Sequence, residues 1–200
     1  MAESYVIGVD FGSDSVRALI VNTETGENVG QGVACYPRWK AGLYQHPEHS
    51  IFRQHPLDYL ESLEKCITTA LAELTEEQKD HVIGIGVDTT GSTPVPVDKN
   101  GTPLALLDEF AENENAMFFL WKDHAAAAEA DEINKLFRNN SENDYTKYQG
   151  DYSAEWYWAK ILYAVRHDEA IRQAAYTWEE HCDWMTGILC GETRPEKIYH

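Results

Sequence analysis

Runs of apolar and β-favouring residues along the first 36 positions predict three strands. The runs cover residues 5–10, 16–22 and 28–36, and a polar turn at 23–27 separates the second run from the third. Because short turns join antiparallel neighbours, we predict an antiparallel meander as the opening unit. Residues 37–55 have no clear period and hold proline, glycine and three histidines, so we expect an irregular connection there.

The pattern then changes to a helical period. Leucine and isoleucine recur every three or four residues from position 57 to position 74, and Pro56 stands in the first turn, which predicts a helix. An apolar run at 82–88 follows and again ends on an acid. A helix followed by an apolar strand is typical of an α/β layer with a parallel element. We therefore expect 82–87 to be a buried strand of the same sheet, followed by a short strand at Val95 and Val97.

The second half of the chain has a helical pattern. We predict helices over residues 116–137, 152–167 and 169–189, with a polar break at 139–150. The whole chain, at 200 residues and 43% hydrophobic content, is long enough for one full core or for one large incomplete domain.

The charge balance narrows the class of partner. The chain carries 34 acidic and 16 basic side chains, a formal net charge of −18. Such a surface repels nucleic acid and anionic membranes, so we expect neither as a partner. A nucleotide is also an anion, so a nucleotide site must supply local N–H donors, an arginine and a metal ion against the overall field. The composition leaves open whether copies of the chain associate as a homo-oligomer.

Cysteine usage and the N-terminus favour a cytoplasmic protein. No pair of cysteines has CxxC spacing, and we interpret all four as reduced, structural thiols: Cys35, Cys66, Cys182 and Cys190. The chain reaches a predicted strand without the charged and apolar segments of a signal peptide. No apolar run approaches membrane-spanning length.

The segment 5–18 carries the most informative chemistry. A strand that ends on Asp10 leads into a turn of small polar residues, and Arg17 follows in the next strand. A strand-end carboxylate can hold a hydrated metal ion, and a small-residue turn lets backbone N–H groups approach phosphate. This pattern predicts a phosphate-binding strand-turn-strand, although an ordinary hairpin with a polar turn has the same residues. Neither GxxxxGK[ST] nor GxGxxG before a helix occurs, which excludes the P-loop and dinucleotide motifs.

Four segments resemble the FGGY carbohydrate kinases, the sugar-kinase branch of the actin/hexokinase/Hsp70-like ATPases. They are DFGSDSVRAL (10–19), GVDTTGSTPVPVD (86–98), LWKDH (120–124) and SAEWYWAKIL (153–162). They occur in the family's order, and the resemblance covers essentially the whole chain. Within the family, these segments are most similar to members that phosphorylate ribulose.

The resemblance implies a fold and a domain organisation. It implies an α/β, ribonuclease-H-like N-terminal domain with a mixed sheet flanked by helices, and the predicted order of three strands, a helix and two strands agrees with it. FGGY kinases are considerably longer, so we expect residues 1–200 to be an incomplete N-terminal domain, with the C-terminal domain that closes over ATP absent from this chain. The alternative is a naturally short protein.

The resemblance also implies ATP and Mg²⁺ as cofactors. Asp10 is expected to hold the metal through its waters, and the nucleotide phosphates are expected at Gly12, Ser13, Asp14, Ser15 and Arg17. Asp14 departs from the threonine that is commoner in glycerol kinases. Because a carboxylate repels a triphosphate, we expect Asp14 to point away or to contact metal-bound water.

No catalytic residue is assigned in this chain. In the family that the segments resemble, the general base is an aspartate in a Gly-Asp-Gln-like motif, and no such tripeptide occurs here. We therefore expect the general base beyond His200.

The sugar is expected to contact the segments around positions 91 and 121. The implied substrate-binding residues are Gly91, Ser92, Thr93, Trp121 and Asp123. Glycine permits close backbone approach, hydroxyl groups can pair with sugar hydroxyls, and an indole offers a flat apolar face. The alternatives are a polar loop without a ligand at 89–93 and a core tryptophan on a helix. Glu155 either orients the pocket or lies on the solvent face of its helix.

Together these observations predict ATP-dependent phosphorylation of ribulose to ribulose 5-phosphate, a step of L-arabinose catabolism, by a longer protein. We expect the 200-residue chain alone to be inactive. The alternatives are an FGGY kinase for another sugar, such as xylulose, and a non-catalytic actin-like protein that binds sugar as a regulator.

Overall fold

The computed structural model describes residues 3–140, 142 and 144–198. Its strands, in chain order, are β1 (Tyr5–Phe11), β2 (Ser15–Asn22), β3 (Asn28–Cys35), β4 (Gln45–His46), β5 (Ile51–Gln54), β6 (Val82–Thr89), β7 (Pro94–Val97), β8 (Phe118–Phe119) and β9 (Thr177–Glu180). Its α-helices are α1 (Pro37–Lys40), α2 (Pro56–Leu71), α3 (Glu76–Asp80), α4 (Ala127–Asn139), α5 (Thr146–Gln149), α6 (Tyr157–His167), α7 (Glu169–Ala174) and α8 (His181–Cys190). Short 3-10 helices lie at Pro47–His49, Leu104–Leu106, Asp108–Phe110 and Glu114–Ala116.

The described residues divide into two compact units. The first contains the chain up to Leu43 together with His55–Thr90, and the second contains Tyr44–Gln54 together with the residues from Gly91 onward. The expectation that residues 1–200 form one incomplete N-terminal domain stays a prediction.

The first unit is built on the predicted sheet. Strands β1, β2 and β3 form the antiparallel meander, and β6 pairs with β1 in parallel, which gives the order β3-β2-β1-β6. The four strand predictions are correct to within two residues at each end. The mixed α/β fold with a mixed sheet is therefore confirmed.

Helix α2 packs across β2 and β3, and two glycines make this close approach possible. A Cβ at Gly32 would lie 2.1 Å from the backbone oxygen of Cys66, and one at Gly30 would lie 2.6 Å from that of Ala70. The Cys66 thiol, itself buried, donates to the Gly32 carbonyl at 3.2 Å. Burial raises the pKa of this thiol, which keeps it protonated and structural.

The prediction that 82–87 is a buried strand was only half right. β6 joins the sheet, but Ile83 is 70% exposed and Ile85 is 42% exposed. Because α2 covers β2 and β3, the described residues leave β6 largely uncovered at the edge of the sheet.

The second unit contains two small sheets and most of the helices. β4, β5 and β8 form a three-stranded antiparallel sheet, and β7 pairs with β9. Its interior is aromatic, since Phe118 contacts both His181 and Trp184 with ring centroids 5.1 and 5.3 Å apart. The Trp184 indole N–H donates to the Gly101 carbonyl at 3.1 Å, which ties α8 to the turn after β7.

Several predictions for the parts of the chain outside the four-stranded sheet were wrong. Residues 37–55 contain α1, β4 and β5, because β5 finds a partner in β8, far along the chain. The predicted helix 116–137 begins only at Ala127, and the one at 152–167 begins only at Tyr157. Instead of one helix at 169–189, α7 ends at Ala174 and β9 separates it from α8, since Thr177–Glu180 pairs with β7. The polar break is interrupted by α5, and positions 141 and 143 lie outside the described residues.

Among the described helices, none combines the length and the hydropathy that a bilayer-crossing segment requires.

Candidate functional site

The hairpin between β1 and β2 carries the predicted phosphate-binding residues. The Gly12 N–H donates to the Ser15 carbonyl at 2.9 Å, which leaves Ser13 and Asp14 at the tip. Buried Tyr36 fixes this tip from two sides. Its hydroxyl donates to the Gly12 carbonyl at 3.1 Å, and its backbone N–H donates to the Asp14 carbonyl at 3.0 Å. Protein hydrogen bonds therefore define the shape of the turn.

Three charged side chains form a row across the sheet beside this hairpin. Asp10 is the register partner of Arg17 in β2 and of Asp88 in β6, so all three lie on the same face. An Arg17 Nη1 lies 3.3 Å from an Asp10 oxygen, and each side chain of this pair is 54% exposed. Such an exposed ion pair contributes at most about 1 kcal/mol to stability.

The residues of this row fit the phosphate and metal that the sequence implies. Two neighbouring, exposed carboxylates at strand ends suit a cation that keeps most of its water, and Arg17 suits a phosphate oxygen. A Cβ at Gly12 would lie 3.4 Å from the Ser15 carbonyl and 3.5 Å from Arg17 Nη1, which are ordinary contacts. The hairpin itself would therefore tolerate a side chain at this position. A ligand that lies close to the backbone would require glycine here. The described residues contain no cluster of three or more His, Cys, Asp or Glu suited to a metal.

The two serines and the aspartate of the turn have different surroundings. Ser15 is buried, and its hydroxyl donates to a carboxylate oxygen of Asp14 at 3.0 Å. Asp14 is exposed, and Ser13 is half-buried. The Asp14 carboxylate is thus engaged with its own turn.

β6 brings the next predicted segment to the same edge of the sheet. Because β1 and β6 are parallel, their carboxyl ends coincide, and Thr89 is the register partner of Phe11. Asp10 and Thr89, at which the 89–93 loop begins, therefore lie at the same edge of the sheet. The rest of this loop from Gly91 onward belongs to the second unit.

In the second unit, a single peptide group of that loop is held from both sides. The Ser92 carbonyl accepts from the Lys160 ammonium at 2.5 Å, and the Thr93 N–H donates to the Glu180 carboxylate at 2.5 Å. Ser92 has a φ of 53°, in the left-handed region that serine seldom adopts. Gly91 is exposed, whereas Thr93 is buried, and its hydroxyl contacts the Gly91 carbonyl at 3.4 Å.

The segment at 121–124 mixes an exposed ring with a buried carboxylate. Trp121 is 42% exposed and lies in a turn, so the alternative of a core tryptophan on a helix is wrong. Asp123 is fully buried and accepts from the backbone N–H of Phe52 at 2.7 Å and of Ala125 at 3.1 Å. It also forms an ion pair with Arg53. Both carboxylate oxygens of Asp123 therefore have protein partners in this conformation.

Arg53, the partner of Asp123, is one of the largest buried side chains. Its guanidinium lies 3.5 Å from the centre of the Phe119 ring, which adds a cation–π contact to the ion pair. Burial lowers the pKa of Arg53, and the charge of Asp123 opposes that shift. The pair connects β5 to the segment that carries Trp121.

Glu155 precedes α6 and does not lie on the solvent face of a helix. Its carboxylate is 2.8 Å from His124 Nε2, and both side chains are partly exposed. The His124 Nδ1 faces the Lys122 carbonyl at 2.8 Å. Glu155 therefore contacts the 121–124 segment through His124.

The sequence interpretation missed Lys160, although the quoted segment SAEWYWAKIL contains it. Its side chain is fully buried, and its ammonium also donates to the Leu120 carbonyl at 2.9 Å. Lys160 and Ala164 are four residues apart on the buried side of α6, and a lysine in such a stripe is the signal that could have revealed it. Through Lys160 the structure brings together the predicted substrate segments at 91–93 and 120–123.

The general base was expected beyond His200, outside the sequence of this chain. His200 itself, like Tyr199, lies outside the described residues. The location of the base therefore stays a prediction, and no residue of the candidate site is assigned that role.

Comparison with curated proteins gives consistent relatives. The chain is 52% identical over 197 residues to the ribulokinase of Vibrio parahaemolyticus serotype O3:K6, which covers 98% of this chain and 35% of that protein. It is 38% identical to the ribulokinase of Mycolicibacterium smegmatis, over 95% of this chain and 35% of that protein. The chain thus spans about a third of the length of the curated relatives it matches.

Comparison with solved structures shows the fold. A xylulose kinase from Bifidobacterium adolescentis matches with a TM-score of 0.72 at 17% identity, over 98% of this chain and 38% of that one. A Plasmodium falciparum glycerol kinase with ADP matches with a TM-score of 0.70 at 15% identity, over 95% and 35%. The actin/hexokinase-like fold expected from the sequence is confirmed.

The sequence profile of the N-terminal domain of the FGGY family of carbohydrate kinases matches residues 5–196, nearly the entire chain. The chain therefore belongs to the FGGY family of carbohydrate kinases.

Proposed function

We propose that this chain is the N-terminal part of a ribulokinase, which transfers the γ-phosphate of ATP to the terminal hydroxyl of ribulose. The observation that carries the proposal is the 52% identity to a ribulokinase over 98% of the chain. The row of Asp88, Asp10 and Arg17 beside a hydrogen-bonded turn of small residues supports it, since phosphoryl transfer depends on positioning and on electrostatic stabilisation. The four free thiols agree with a reaction in the cytoplasm.

In this proposal, the β1–β2 hairpin binds the phosphates of ATP. When bound, Mg²⁺ neutralises charge on the phosphate oxygens. Asp10 would hold the water molecules that surround Mg²⁺. Arg17 would contact a phosphate oxygen and give up its weak ion pair with Asp10. Gly12 leaves room for the nucleotide to approach, and Ser13 offers its hydroxyl at the tip. Ser15 is buried and acts by holding the Asp14 carboxylate aside.

In this proposal, residues of the second unit bind the sugar. Trp121 presents its exposed ring to the carbon–hydrogen face of the sugar, and Gly91 and Ser92 present backbone and hydroxyl groups. For Asp123 and Thr93, contact with the sugar remains a prediction. Their burial favours a supporting role, because a ligand would have to displace the partners that they already have.

A coupled ADP-release assay tests the proposal. The full-length protein, meaning a chain of the relatives' length that begins with these 200 residues, is assayed with ribulose beside the 200-residue chain. We expect ribulose-dependent turnover by the full-length protein and none by the chain alone, because loss of a general base costs about 10²- to 10⁴-fold. The relatives' remaining length, beyond the position of His200, is where the proposal puts that base.

Other outcomes are informative. Full-length turnover with xylulose but not ribulose would change the substrate and keep the reaction. Sugar binding without turnover of ATP would favour a regulator over a kinase. Rapid turnover by the 200-residue chain would show that the general base lies within it.

A further inference from the structure

A buried lysine stands between the two segments that the proposed function assigns to the sugar. The Lys160 ammonium donates to the Ser92 carbonyl at 2.5 Å and to the Leu120 carbonyl at 2.9 Å. Leu120 directly precedes Trp121, and Ser92 lies in the other segment. One ammonium group thus joins two stretches of chain that are almost 30 positions apart in sequence.

Glu180 completes the arrangement at Ser92. The carbonyl that Lys160 contacts and the N–H that Glu180 contacts belong to one peptide group, between Ser92 and Thr93. The Lys160 ammonium donates to the oxygen of this peptide group, and the Glu180 carboxylate accepts from its N–H. These two hydrogen bonds fix the orientation of the peptide plane. They also hold Ser92 in a backbone conformation that is strained for a residue with a side chain.

The burial of Lys160 has a cost that its surroundings offset only partly. Taking an ammonium group out of water is unfavourable unless it is paired and hydrogen-bonded. Burial lowers the pKa of Lys160 to about 8, and the nearby charges of Asp123 and Glu180 oppose this shift. The group therefore remains an ammonium at neutral pH, with protons for both carbonyl oxygens. A methionine or leucine would fill such a space without that cost, so packing alone does not explain a lysine here.

We propose that Lys160 is a positioning residue of the sugar site, which holds the Ser92–Thr93 peptide and the Leu120 carbonyl so that the 91–93 and 121–123 segments face one ligand together. It acts through the backbone of these segments and does not touch the sugar. The assignment rests on the proposed function, because only a sugar ligand makes the spacing of the two segments matter.

The first experiment measures how strongly Lys160 protects the two segments from amide hydrogen exchange in the 200-residue chain. Lys160→Met removes the ammonium and keeps a long side chain, and Lys160→Gln keeps two N–H donors without the charge. Ala164→Gly is the matched control, since it weakens α6 on the same buried side and removes no polar group that could hold either segment. We expect amide hydrogen exchange at 91–93 and 120–123 to accelerate at least about tenfold in Lys160→Met, less in Lys160→Gln, and not selectively in the control.

The second experiment measures the consequence in the full-length protein. We expect Lys160→Met to raise the KM for ribulose about tenfold or more, with the KM for ATP within about twofold, and Lys160→Gln to recover part of the loss. Ala164→Gly is expected to lower thermal stability and leave the KM for ribulose unchanged. Equal increases in both KM values, or an unchanged KM for ribulose in Lys160→Met, would overturn the positioning role.

The two experiments separate failure of this inference from failure of the proposed function. A full-length wild-type protein without sugar-kinase activity would overturn the proposed function and the sugar role of Lys160 with it, whatever the exchange result. An active wild-type protein whose Lys160→Met variant exchanges like the control would overturn the inference alone. If Lys160→Met does not fold, Lys160→Gln decides both measurements.

Discussion

The β1–β2 hairpin and the segments around Ser92 and Asp123 handle charge in opposite ways. In the hairpin, Asp10 and Arg17 are half exposed and lie on adjacent strands that a short turn connects. In the second unit, Asp123, Arg53 and Lys160 are fully buried, and their partners come from distant parts of the sequence. Exposed charges are available to a ligand at little cost to stability, whereas the buried ones hold the backbone of the segments that we propose contact the sugar.

The strongest way to break this comparison is to remove one partner of a buried pair. Asp123→Ala leaves the Arg53 charge buried without its partner, and we expect the free energy of unfolding to fall by about 3–5 kcal/mol. Urea denaturation of the 200-residue chain measures this loss. The double variant Arg53→Met with Asp123→Leu should recover part of it, because the unpaired guanidinium is gone while the N–H groups of Phe52 and Ala125 still lack their acceptor. A loss below about 1 kcal/mol for Asp123→Ala would mean that the pair behaves like a surface pair.

The second prediction tests where the first unit gets its stability. Gly32→Ala would place a methyl group 2.1 Å from the Cys66 carbonyl, so α2 must move away from the sheet. We expect a loss of about 3 kcal/mol by urea denaturation. Gly8→Ala is the matched control on the same sheet, since a Cβ there meets nothing within 4 Å. Equal effects of the two substitutions would contradict the close packing of α2 on β3.

The third prediction concerns the pH dependence of stability that buried Lys160 causes. Because the pKa of Lys160 is about 8 in the folded chain and near 10.5 when exposed, the unfolded state binds more protons between these values. The stability of wild type relative to Lys160→Met should therefore increase by about 2.5 kcal/mol as the pH rises from 8 to 10.5. Paired urea titrations at several pH values measure the difference. A constant difference would show that Lys160 titrates as an exposed lysine.

The smallest expected effect is at the exposed pair. Arg17→Ala should change the free energy of unfolding by less than about 1 kcal/mol, because both partners are half exposed and water replaces the contact. Added salt should make the change smaller still. The same urea experiment at low and high salt checks this prediction, and a loss comparable to that of Asp123→Ala would remove the distinction between the two regions.

The regions also differ in how much the sequence could predict. The hairpin, α2 and β6 follow from local patterns, and their strand ends were predicted to within two residues, because turns and registers are set by nearby positions. The helical pattern of 169–189 does not reveal β9, because its pairing with β7 depends on contacts about 80 positions apart. Arg53 and Lys160 were missed for the same reason. Their roles depend on which buried partners the fold brings to them, and no local spacing encodes that.

Within the candidate site, residue types could be predicted better than their surroundings. The sequence correctly grouped the turn residues beside Asp10, since two neighbouring strands fix them. It did not predict that Asp123 is enclosed by Arg53 and backbone donors, or that one peptide at Ser92 is held from both sides. The tertiary contacts of the second unit decide these features.

Steady-state kinetics of the full-length protein, with ATP and ribulose varied independently, test the division between an exposed phosphate-binding hairpin and a sugar site held by buried charges. We expect Asp10→Asn to lower kcat about a hundredfold or more, with the KM for ribulose changed little. We expect Trp121→Ala to raise the KM for ribulose about tenfold and to leave the KM for ATP unchanged. If Asp10→Asn changed mainly the KM for ribulose, or Trp121→Ala mainly that for ATP, the assignment of the two roles would be wrong.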